Sequence, residues 1–251
     1  MGLFFAANSL LYLFWLIGRL MRLMGFDQVH ALAQRLAFSS WVFRQINRAF
    51  KKKRHFLTDN VHQVLSLAPA HQTDFLAQYY QNLTQTMIDE LIIRPQDIQR
   101  ANVLGQEYLP KSAPPIFFSI HCSALSWLQL ATQSQGYSAV MLYREIDHPL
   151  FRVLGKKARE RFTMAAFSTK QMPMFMEAFS KAPKPVLILP DLRVKKGRNA
   201  AELSFCGQQA WTSTFTAEMA ITYQRPLIPI RVTRDKKQRV RIEFFPDIRG
   251  T

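Results

Sequence analysis

The segment Ile116–Trp127, IFFSIHCSALSW, carries a histidine to the end of a short apolar run. Imidazole accepts and returns a proton near neutral pH, so a histidine leaving a buried strand has the chemistry of a general base. Such a base works beside a carboxylate that fixes its tautomer and stabilises the imidazolium. No acid follows His121 closely, and Ser126 stands five residues on. A serine hydroxyl can accept a hydrogen bond from an imidazole N–H but supplies no charge. Two other polar residues leave apolar runs downstream: Arg144 after VMLY, and Asp191 after PVLILP. In open parallel sheets ligands gather at the carboxyl ends of the strands. Three polar residues at three strand ends therefore form a constellation. Cys122, next to His121, does not complete a Cys–His pair, because sequence neighbours point to different sides of a strand or helix.

The elements that would position these residues can be read from hydrophobic period. After Pro114 come short apolar runs, PIFFSI, SAVMLY, FTMAAF, PVLILP, PLIPIRVT and RVRIEFF. Helical patterns such as SALSWLQLATQSQ and HPLFRVLGKKARER separate several of them. Strands alternating with helices predict an α/β fold with a mostly parallel central sheet flanked by helices. The last two runs predict a hairpin through RDKKQ. Residues 27–110 read as a helical part and 111–251 as the α/β part. Within TDFLAQYYQNLTQTMIDELI, Phe75, Leu76, Tyr79, Tyr80, Leu83, Met87 and Leu91 share one broad face, with Thr73 or Asp74 as N-cap and Pro95 closing the segment. HFLTDNVHQVLSLAP reads as a second amphipathic helix ending near Pro69.

Composition narrows the partners. The 251 residues fit one large α/β domain or two small ones, and a formal charge of +16 calls for an anionic counterpart. Nucleic acid is excluded by the lack of any binding motif and by an apolar amino end. That end, GLFFAANSLLYLFWLI from Gly2 to Ile17, is uncharged, with Arg19 and Arg22 after it. Residues 1–26 are expected to anchor the chain, by a single span or by lying in the membrane plane. The arginines that follow place the remainder, 27–251, in the cytoplasm. Two cysteines and scattered histidines give neither a disulfide framework nor a metal-ligand spacing.

From about Arg54 to Asp247 the chain resembles the late acyltransferases of lipid A biosynthesis, within the lysophospholipid acyltransferase superfamily. SIHCSALSW is similar to that family's GHFGNWE, YREIDHP to YRP-x-x-NP, KARERF to R-x-R-G, and ILPDLRVKKGRNAAELSFCG to a strand ending in DQ, a basic loop and an FFG turn. The resemblance implies transfer of a fatty acyl group to a hydroxyl of a glycolipid, such as a lipid A precursor, at the bacterial inner membrane. The donor would be an acyl thioester of acyl carrier protein or coenzyme A, with no other cofactor, and the partners would include an anionic membrane.

The resemblance makes His121 the base and puts Ser126 where the family's H-x(4)-D/E has its acid. It makes Glu202, five residues before the glycine of FCG, the favoured substitute and Asp191 the second. It assigns Arg144 and Arg159 to phosphate, and Arg193 and Lys195 of the basic loop to anionic lipid or an acidic carrier protein. The competing expectation, resting on Ser126, is a catalytically impaired homologue that binds lipid or a partner without turnover.

Overall fold

The structure is a computed structural model. It describes residues 69–121, 125–143, 165–181, 184–191, 194–197, 199–205, 207–235 and 239–250, most of 16–35, Val61 and Phe162. The chain divides into two compact units: Met1–Leu16 with Ile93–Ala201 and Trp211–Thr251, and Ile17–Ile92 with Glu202–Ala210.

The first unit contains a seven-stranded sheet in the order β1-β9-β8-β2-β5-β3-β4. The strands are β1 (Asn102–Leu104), β2 (Ile116–Phe118), β3 (Val140–Tyr143), β4 (Ala165–Ser168), β5 (Val186–Ile188), β8 (Leu227–Arg234) and β9 (Val240–Phe244). Every pairing is parallel except β8 with β9, an antiparallel hairpin in which the Asp235 N–H donates to the Arg239 carbonyl at 3.1 Å. The mixed α/β fold with a mostly parallel central sheet therefore holds, as does the RDKKQ hairpin. β1 corrects the reading of 27–110 as helical. Three residues are too few to show a period, and β1 is held by its pairing with β9 rather than by local pattern. β1 ends at Gly105, whose φ of 74° is left-handed and where an added Cβ would collide with the Phe244 carbonyl.

Helices cover the two faces of the sheet, and strand alternation decides which residue meets which helix. On one face, α2 (Leu125–Ser134) packs on β8 and β9. Trp127 and Leu128 are fully buried there, and Phe117 meets Tyr137 edge-on at 5.3 Å. On the other face, α3 (Met172–Lys181) and α4 (Phe215–Thr222) enclose Ile116, Phe175, Phe179, Val186 and Met219. Such close-packed apolar contact is the main stabilising term in a fold of this kind.

The amino edge of the sheet is clamped by Arg225. Its Nε donates to the Pro114 carbonyl at 2.8 Å, its Nη2 to the Lys184 carbonyl, and its guanidinium lies 4.3 Å from the centre of the Phe179 ring. Pro114 precedes β2 and Lys184 precedes β5, so one side chain ties together the starts of two neighbouring strands. Burial pulls its pKa down to about 10, which leaves it charged at neutral pH.

A separate two-stranded sheet is made by β6 (Ala200–Phe205) and β7 (Gln208–Ser213). In the second unit, α1 spans Pro69–Ile92. It begins earlier than the expected caps at Thr73 or Asp74, since proline is well tolerated at a helix's first position. Its buried side is Leu76, Gln85, Ile88, Asp89 and Ile92, packed in part on Val29, while Tyr79 and Leu83 are exposed. Of the expected stripe Leu76 is buried and Phe75 half-buried, while the side chains of Tyr80, Met87 and Leu91 lie outside those described.

Residues 16–21 are helical, with Ile17 and Leu20 exposed. Among the described residues, no helix is long and apolar enough to cross a membrane. Residues 1–15, the bulk of the expected anchor, lie outside the described residues, as do most of 55–68 and the HPLFRVLGKKARER segment.

Candidate active site

β2 and β5 are parallel neighbours, and Phe118 is level with Ile188. The pairing continues one step further, where the Ser119 N–H donates to the Ile188 carbonyl at 3.2 Å. His121 and Asp191 each stand three residues beyond that level pair, so equal overrun brings them together at the carboxyl edge. His121 Nδ1 lies 2.7 Å from Asp191 Oδ1, and the His121 backbone N–H donates to Oδ2 at 2.9 Å. One carboxylate thus grips both the ring and the main chain of the same residue. That two-point hold fixes ring position and presents Nδ1 as the protonated nitrogen, leaving Nε2 as the one that can take up a proton.

The pair is accessible: the His121 side chain is 42% exposed and that of Asp191 28%. Burial acts to raise the Asp191 pKa and is the largest single influence. The hydrogen bonds from the His121 ring and backbone and its charge act together in the opposite direction and prevail. The carboxyl therefore lies below its ordinary range. At neutral pH it is an anion positioned to stabilise an imidazolium.

The carboxylate on His121 is Asp191, the second of the two acids expected. Glu202 lies on β6 with its side chain exposed, within the stretch 202–210 that belongs to the second unit. Strand adjacency is what brings Asp191 to the base. From the last sheet-paired positions, Phe118 and Ile188, IFFSIH and VLILPD each run three residues to a polar group. The grip on the His121 backbone N–H had no counterpart in the sequence reading.

Ser126 is 1% exposed in the first turn of α2 and packs in the core beside Trp127. Ile120, immediately before the histidine, is 65% exposed. Lys195 is exposed in the loop after β5. That loop is tied to β7 by a 3.2 Å bond from the Val194 N–H to the Trp211 carbonyl, and Lys196 lies 5.5 Å from the Trp211 ring centre. Arg144, Arg159 and Arg193 lie outside the described residues. Among the described residues, no group of three or more His, Cys, Asp or Glu side chains is placed to hold a metal ion.

No curated protein matches the chain. A family model described as bacterial lipid A biosynthesis acyltransferase matches residues 6–251. That span takes in the whole sheet together with His121 and Asp191, and the chain belongs to the bacterial lipid A biosynthesis acyltransferase family.

Proposed function

We propose that the chain transfers a fatty acyl group from a thioester of acyl carrier protein or coenzyme A to a hydroxyl of a glycolipid such as a lipid A precursor. The work would be done at the inner membrane, with His121 as general base. The observation that carries this reading is the 2.7 Å contact between His121 Nδ1 and Asp191 Oδ1. A base with its orienting anion is what deprotonation of an alcohol requires.

In the reaction His121 Nε2 takes the acceptor hydroxyl proton as the oxygen attacks the thioester carbonyl. The C–O bond forms, and the tetrahedral intermediate then collapses with loss of the C–S bond. The imidazolium returns the proton to the departing thiolate, so acid and base roles close on one residue. Asp191 holds Nδ1–H and offsets the positive charge while the proton is on the ring. Arg144 and Arg159 are the groups assigned to phosphate on acceptor or donor, where a guanidinium offers a two-pronged match, and Arg193 and Lys195 are assigned to anionic lipid or an acidic carrier protein. In this scheme Ser126 stands at the family's acid position without taking part, and Asp191 supplies the charge from the neighbouring strand. The pair also supports turnover over binding without turnover.

The test is single-turnover transfer from a radiolabelled acyl thioester to a lipid A precursor in detergent micelles. Wild-type protein should form acyl-lipid and His121→Ala should not. Equal rates for the two would remove His121 from the chemistry.

A further inference from the structure

The β8–β9 hairpin rises at the same edge as the His121–Asp191 pair. Pro229 of β8 is level with Phe118 of β2, and β8 runs on to Arg234. At ~3.3 Å per residue those five further residues project roughly 16 Å past the paired end of β2. The Arg234 guanidinium lies 6.0 Å from the Trp127 ring centre, which places the strand end over the first turn of α2, the helix that follows the histidine.

The two faces of this hairpin differ. Ile230, Val232, Val240 and Ile242 are buried toward α2. On the opposite face the cross-strand rows are Arg231 with Glu243 and Thr233 with Arg241. Arg231 donates to Glu243 Oε2 from Nε at 2.7 Å and Nη2 at 2.5 Å, and Arg241 donates to Oε1. Arg231 also lies 5.3 Å from the centre of the Phe245 ring. The two guanidiniums are thus held in place yet remain outward, with side chains 58% and 53% exposed, and that of Arg239 is 74% exposed. The hydrogen bond from Arg231, then that from Arg241, keeps the Glu243 carboxyl below its ordinary range, so it stays an anion between two cations. The stretch RVTRDKKQRVRIE, Arg231–Glu243, holds six cationic and two anionic side chains, a net of +4.

The geometry points to this face as an electrostatic foot that seats the carboxyl edge of the sheet on an anionic lipid bilayer. The assignment rests on the lipid-acceptor reading above, because an acceptor embedded in a membrane requires the histidine edge to face that membrane. An element of net positive charge projecting past that edge meets the headgroups first. A preformed array of arginines on a strand face loses little side-chain freedom on meeting phosphates. Each cation near an anionic surface strengthens partition about fivefold at low salt, and the effect dies within a Debye length.

The test compares partition of the full chain into phosphatidylcholine vesicles with and without phosphatidylglycerol. The ratio of the two cancels any contribution from apolar segments. In Arg231→Gln/Arg239→Gln/Arg241→Gln the ratio should fall at least tenfold. In Glu243→Gln, which frees both guanidiniums, it should rise severalfold, and both changes should vanish at high salt. An unchanged ratio in the triple variant overturns the proposal. So does an unaltered or lower ratio in Glu243→Gln, and so does a triple variant whose only defect is binding to an acidic carrier protein. Transfer in detergent micelles, where no bilayer is present, is measured alongside. Its loss in wild type would refute the acyltransfer reading, whereas normal micellar transfer with an unchanged vesicle ratio would refute the foot alone.

Discussion

Replacing Asp191 by Asn isolates what the carboxylate contributes to His121. The amide is nearly isosteric, and its oxygen can still accept the His121 backbone N–H now held at 2.9 Å. Its NH2 group, set against Nδ1 at about the 2.7 Å of the native contact, would require Nδ1 to become the acceptor. The proton then resides on Nε2, and the nitrogen that should take the acceptor's proton is already occupied. The same inversion in a serine-protease triad lowers kcat by about 10⁴. Here the His121 and Asp191 side chains are 42% and 28% exposed. Water can partly reorient the ring, and a loss of about 10²–10³ in single-turnover rate is expected.

The pH dependence of stability gives an independent readout. The folded-state pKa of Asp191 lies below its ordinary value. Its stabilising contribution is therefore complete above the unfolded value of about 3.9 and is lost as pH falls through the folded value. Denaturant titrations should show wild type and Asp191→Asn differing at pH 7 and converging as the pH falls below the ordinary aspartate value and through the lowered folded-state one. A variant that transfers acyl groups within threefold of wild type, while His121→Ala is inactive, would refute the reasoning.

Glu202→Gln should leave the transfer rate within about twofold, because its carboxylate is exposed on β6 and Asp191 already serves the base; a hundredfold loss would reverse that assignment. Arg225→Met should cost about 2–4 kcal/mol in urea denaturation, since a buried guanidinium is lost and the partly buried carbonyls of Pro114 and Lys184 lose their donors. Stability unchanged within 0.5 kcal/mol, roughly the scatter of a neutral surface change, would show that the clamp is dispensable. Gly105→Ala should destabilise by about 2 kcal/mol or more, from a left-handed φ combined with a collision against the Phe244 carbonyl. Its signature is early loss of amide-exchange protection in β1 and β9; uniform loss across the sheet would point elsewhere.

What the sequence determined by itself was the kind of sheet and the edge that bears the chemistry. Buried parallel strands read as continuous apolar runs, so PIFFSI, VMLY, PVLILP and PLIPIRVT announced themselves, and the polar residues that end them marked the carboxyl edge. His121 was legible for that reason, as was the β8–β9 hairpin, because both signals are local. The partner of His121 was not legible in the same way. Asp191 lies 70 residues away along the chain, and its approach follows from the adjacency of β2 and β5 and their register. Strand order is set by how the whole sheet packs, and no local period encodes it. The same limit hid β1, whose three residues are a strand through pairing with β9. Local pattern states which way a side chain alternates. Only the tertiary structure decides which neighbour it meets, because long-range pairing and packing energies outweigh single-residue preferences.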